Sequence, residues 1–193
     1  MVHSIESGVE RGIALELQVI ARLAIIRAGR LPAMTLKGDG SAPRGLACSD
    51  EPLPFDGIDD LKESEELTRL YVPTSKSFAC DAIIIPPFTL AVESEPIVVW
   101  EMSITSPRDP KRVDKVLKWF GAEGIVTALL AAHPGRPIVC TLCWPEKLDA
   151  ATPQETRYSE LSTAADVASK QSTSLVSVVV VDMTGLQLLG VLL

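Results

Sequence analysis

Apolar positions recur along this chain with two periods, each marking a different kind of element. Over residues 8–30, Ile13, Leu17, Ile20, Leu23 and Ala24 fall three and four apart, the spacing of one face of an α-helix. Ser7 and Glu10 precede that face as a capping box, and Gly29 ends it. Glu16 stands three residues from Ile13 and four from Ile20, at the edge of the stripe, and is the one acid of this helix expected to look inward. Period two then takes over. Residues 78–85 and 97–105 read as neighbouring strands. In the second, Ile97, Val99, Glu101 and Ser103 share one face, and Val98, Trp100, Met102 and Ile104 share the other. Residues 88–92 extend or pair within the same sheet.

Helical spacing returns after Asp109, which caps, and Pro110, which fits a first helical position. Val113, Val116, Leu117 and Phe120 give that helix its apolar face, with Lys111, Lys115 and Lys118 opposite or flanking. Residues 122–132 continue as a second helix, 136–145 as a buried strand, and 152–174 as mixed helix and loop. The β-branched run 175–182 predicts a strand, and 186–193 a hairpin partner through the turn 183–185. The stretch 31–70 is rich in Gly, Pro, Ser and Asp and reads as an irregular acidic insertion. Within it, 33–36 predicts a short strand and 58–70 an acidic surface helix. The expectation is a single α/β (α+β) domain over 1–193, a central mixed sheet flanked by helices.

Composition changes this picture little. Hydrophobic residues make up 47% of the chain, enough for a substantial core. No apolar run reaches the length of a membrane span, and the N-terminal residues lack a basic segment followed by an apolar one, so no membrane role and an intracellular home, cytoplasmic or nuclear, are expected. Cys140 and Cys143 form a lone CxxC inside a strand, where positions three apart face opposite sides, so buried core thiols are expected rather than zinc ligands. The net charge of −7 runs against constitutive nucleic-acid binding, but Arg108, Lys111, Arg112, Lys115 and Lys118 concentrate positive charge directly after the second strand. Taken alone, that segment is equally a solvated helix face.

The candidate chemistry lies where the two strands meet. Asp81 and Glu101 are carboxylates on apolar strands, expensive unless paired, hydrogen-bonded or bound to a metal. If the strands pair, the two acids lie within a few ångströms of each other. Two oxygen donors on adjacent strands suit a hard cation such as Mg²⁺ or Mn²⁺. The other reading is that both acids sit at frayed strand ends and meet water.

Glu16, Asp81 and the Glu101-Met-Ser103 step, set in YVPTSKSFACDAIII and IVVWEMSITSPRDPKRVDKVLKWF, resemble the restriction-endonuclease-like PD-(D/E)XK arrangement. The same phrases are similar to the C-terminal nuclease-like domain of Crinkler effectors and retrotransposon hot-spot proteins. The resemblance covers residues 12–16 and 71–120, about a third of the chain. It implies a core in the order α-β-β-β-α-β and a metal-dependent phosphodiesterase acting on DNA or RNA. Asp81 and Glu101 would be metal-binding acids, and Glu16 the first-helix glutamate that completes the site. Ser103 stands where the family's lysine is usual, and supplies a hydroxyl but no positive charge. Lys76, Lys111 or Lys115 is then required as a surrogate. Without one, the domain is a non-catalytic relative that binds a partner. Its apolar C-terminal strands predict pairing or a homo-oligomer.

Overall fold

The computed structural model describes residues 8–25, 34–35, 52–75, 78–88, 95–103, 109–143, 158–182 and 186–187. Seven strands form one mixed sheet in the order β1-β7-β6-β5-β4-β3-β2. They are β1 (Met34–Thr35), β2 (Leu53–Phe55), β3 (Arg69–Pro73), β4 (Ala82–Ile85), β5 (Ile97–Met102), β6 (Ile138–Cys143) and β7 (Val176–Val181). β3, β4 and β5 form an antiparallel meander. β6 and β7 then add in parallel. Parallel neighbours need crossovers. Helices α2 (Pro110–Leu117) and α3 (Ile125–Ala132) carry the chain from β5 to β6, and α4 (Tyr158–Gln171) carries it from β6 to β7. All six residues of β5 are buried, as befits a central strand covered on both faces.

The sheet separates two cores. On one face Ile83, Ile85, Ile97, Val99, Cys140 and Val178 pack against Val113 and Val116 of α2, Ile125 and Leu129 of α3, and Leu161 of α4. On the other, Ile84, Val98, Trp100, Met102 and Val179 pack against Leu15, Val19 and Leu23 of α1 (Gly8–Ile25). Cys140 belongs to the first core and Cys143 to the second, as strand alternation requires.

Three expectations are corrected. The buried stripe of α1 is Leu15, Val19 and Leu23, whereas Ile13 and Leu17 are 52% and 62% exposed. The helix is apolar on two sides, and packing onto Trp100 selects the side that periodicity alone left ambiguous. Residues 58–70 are not a helix. A 3-10 turn, Ile58–Asp60, is followed by extended chain and β3. Ser64 Oγ accepts from the backbone N–H groups of Glu66 and Leu67, a local bond that competes with helix formation. Within 31–70, β1 falls where a short strand was expected, whereas β2 and the start of β3 stand where irregular chain and a helix were expected. Finally, Leu186 and Gln187 form a helical turn rather than a strand, with Leu186 N–H donating to the Asp182 carbonyl at 2.9 Å. β7 already lies between β6 and β1, so it is no open edge. Residues 188–193 and most of 88–92 lie outside the described residues.

Arg136 braces the end of the sheet remote from Asp81. It is 1% exposed, donates to Glu63 Oε1 at 2.8 Å and to the Pro86 and Glu95 carbonyls at 3.1 and 2.9 Å, and lies over the Phe88 ring. No helix among the described residues is long and apolar enough to cross a membrane.

Candidate active site

β4 and β5 bring the two carboxylates together as strand pairing demands. Ala82 lies opposite Trp100, and the Asp81 N–H donates to the Trp100 carbonyl at 2.9 Å, which sets Asp81 opposite Glu101. Both side chains emerge on the face that carries Ile83, Val99 and α2. β4 starts at Ala82, later than expected, because Ala79 adopts φ 55 and breaks the extended chain before it. Trp119 fixes that turn by donating its indole N–H to the Ala79 carbonyl at 3.1 Å.

Helix α2 begins as predicted. Asp109 Oδ1 accepts from Lys111 N–H at 2.9 Å and Pro110 takes the first turn. What it delivers to the site differs from a solvated basic face. Arg112 is 3% exposed at its side chain, and its Nε–H and Nη2–H both donate to Glu101 Oε2, at 2.9 and 2.6 Å. Nη2 also donates to the carbonyl of Cys143, the last residue of β6. One turn on, Lys115 places Nζ 3.8 Å from Asp81 Oδ1 and 3.7 Å from Glu101 Oε1. Lys111 and Lys118 are exposed.

Asp81 is 16% exposed at its side chain. Its Oδ2 accepts from Met102 N–H at 2.5 Å. Burial pushes its carboxyl up to about 6, against the pull of Lys115 and the Met102 N–H, with Glu101 and then Glu16 adding smaller upward pushes. Glu16 reaches this field from α1, on the opposite face of the sheet, and is half-buried. Ser103 follows β5 directly and is partly exposed. Lys76 lies outside the described residues. The structure thus gathers Asp81, Glu101 and Lys115, with Glu16 felt from behind. Among the described residues, no three His, Cys, Asp or Glu side chains are grouped so as to hold a metal ion.

Two contributors were not read from sequence. Arg112 shares a helical face with Val116 and Trp119, and counting Trp119 as apolar would have marked Arg112 as inward. Tyr158, at the start of α4, is 1% exposed, and its hydroxyl has no hydrogen-bond partner among the described residues. Burial pushes that phenol up to about 12, with Arg112 lowering it and Glu101 raising it, so it senses the same ion pair. Cys80 and Cys143, beside the acids, are pushed up to about 12, chiefly by burial, and are inert thiols at neutral pH.

The raised Asp81 value has a definite sign. The folded protein holds this proton more tightly than the unfolded chain between about pH 4 and pH 6, so the group costs stability progressively as pH rises through that window. Above it the cost is full, on the order of 3 kcal/mol at ~1.4 kcal/mol per pKa unit. Asp81→Asn keeps an acceptor for Met102 N–H and removes the charge. Urea denaturation at pH 4 and pH 7 should show the variant gaining on wild type as pH rises. A stability difference that does not change with pH would refute the buried, ionising Asp81.

Comparison with protein-family models, with curated proteins and with solved structures finds no match to this chain.

Proposed function

We propose that this chain is a metal-dependent phosphodiesterase on a restriction-endonuclease-like core, with Lys115 in place of the lysine that Ser103 lacks. The observation that carries the reading is the position of Lys115 Nζ, within 3.8 Å of one oxygen of each carboxylate. The mixed sheet flanked by helices is compatible with such a core, although β1 and β2 come between α1 and β3, and α3 comes between α2 and β6.

The donor set fits a hard cation. Asp81 Oδ1 and Glu101 Oε1 are the oxygens turned toward Lys115, while Oδ2 and Oε2 are engaged by Met102 N–H and Arg112. Mg²⁺ and Mn²⁺ are commonly held by one or two carboxylates plus water and phosphate oxygens, so a pair suffices. Such an ion, when bound, polarises a phosphate and acidifies a water. The protein's own part is positional. Arg112 holds Glu101 in one orientation and balances its charge in a dry setting. Lys115 offers a mobile positive charge to phosphate. The exposed Lys111 and Lys118 on the same stretch of chain give a nucleic-acid backbone further positive charge.

One observation favours a second reading, a non-catalytic interaction domain on the same core. Arg112 and Lys115 already neutralise both acids. Mn²⁺-dependent cleavage of plasmid, single-stranded DNA and RNA separates the two. Cleavage by wild type is expected, falling at least about 100-fold in Asp81→Ala, since the metal's share of catalysis is several kcal/mol. No cleavage of any substrate by wild type would transfer the assignment to the interaction domain.

A further inference from the structure

The cluster of two acids and two bases is electrically balanced by itself. Asp81 and Glu101 contribute two negative charges, Arg112 and Lys115 two positive ones. The two cations are held differently. Arg112 is buried at 3% exposure and tied at once to Glu101 and to the Cys143 carbonyl. Lys115 is 38% exposed on a flexible four-carbon stem, and its contacts of 3.7 and 3.8 Å exceed hydrogen-bond length. Its ammonium lies between Oδ1 and Oε1, the two oxygens a divalent cation would take.

We propose, building on the phosphodiesterase reading, that Lys115 is a built-in counter-cation that a divalent ion must displace, so that metal and phosphodiester bind cooperatively. A divalent ion alone would meet a neutral cluster, and Lys115 would have to give up both carboxylates to water. With a phosphodiester present, the expelled ammonium pairs with the phosphate anion, and each ligand tightens the other by the same factor. Lys115 therefore opposes metal binding and favours substrate binding, a division of roles that a simple metal-site lysine does not have.

The test counts free Mn²⁺ by electron paramagnetic resonance during titration, with and without dimethyl phosphate as the diester probe. Lys115 is more than a third exposed, so Lys115→Met keeps the stem and the fold, Lys115→Gln repeats the charge removal, and Lys115→Arg restores a cation. Lys115→Met and Lys115→Gln are expected to bind Mn²⁺ at least about tenfold tighter than wild type without diester, because in wild type the ion must replace the attraction of the ammonium for two carboxylates at 3.8 and 3.7 Å, which exceeds that factor even at the dielectric of water. Dimethyl phosphate should tighten Mn²⁺ binding to wild type and to Lys115→Arg, and much less to Lys115→Met. Equal or weaker Mn²⁺ binding by Lys115→Met, with binding still lost in Asp81→Ala, overturns this proposal and leaves the phosphodiesterase reading standing. No Mn²⁺ binding by wild type or any Lys115 variant overturns both.

Discussion

Replacing Arg112 with methionine is expected to destabilise the fold by about 3–5 kcal/mol, the usual cost of stranding one member of a buried ion pair. The pair is nearly dry: the side chains of Arg112 and Glu101 are 3% and 1% exposed. The guanidinium gives two hydrogen bonds to Glu101 Oε2 and a third to the Cys143 carbonyl, so its loss leaves a buried carboxylate and a buried carbonyl together. Lys115 compensates only in part, at 3.7 Å from the other oxygen and half in water. The companion variant Glu101→Gln/Arg112→Met removes both charges and should recover most of the loss. Urea denaturation of the four proteins in that cycle measures the coupling directly. Near-wild-type stability of Arg112→Met would mean that the pair is not buried as described.

Gly124→Ala is the second large effect, at about 3 kcal/mol or more, because overpacking against backbone cannot relax by rotamer change. Gly124 caps α3, four residues past the end of the 3-10 turn Lys118–Phe120. A Cβ there would fall on the Lys118 and Trp119 carbonyls, closer than real side chains approach backbone. Relief requires that the turn open, and the turn carries the buried Trp119, whose indole holds Ala79, two residues before Asp81. The substitution should therefore lower the melting temperature and disturb the site. Gly121→Ala is the control, since its Cβ would meet only the Lys118 carbonyl, at 3.4 Å, and should cost little. Similar stabilities for the two variants would contradict the close approach at Gly124.

Much of the site was legible from period-two alternation, which placed Glu101 on one face of β5 and set Asp81 beside it once the strands pair. The cap at Asp109 and Pro110 fixed where α2 begins and so which residues it presents. Arg112 was missed because a charge on a helix is solvated in most settings, and only its helical neighbour Trp119 betrays the face it occupies. The phase of α1 was missed for a different reason. Ile13 and Leu17 compete with Leu15, Val19 and Leu23, and local periodicity holds no information about which side meets Trp100. β2 and β3 were hidden by Pro54 and by a run of acids whose helical spacing is accidental. Their strand character comes from pairing with each other and with β4, contacts that local composition does not encode.

The bond from Arg112 to the Cys143 carbonyl has a consequence for the growing chain. As the protein emerges from the ribosome, Asp81, Glu101, Arg112 and Lys115 all appear before β6 exists, and the arginine's third acceptor lies thirty-one residues downstream. Until that strand is made and docks, β5 lacks its parallel neighbour and Arg112 its third acceptor. Closing the Arg112–Glu101 pair therefore depends on a strand made after every charged member of the cluster, so truncation of the chain before β6 would leave that pair without its third anchor.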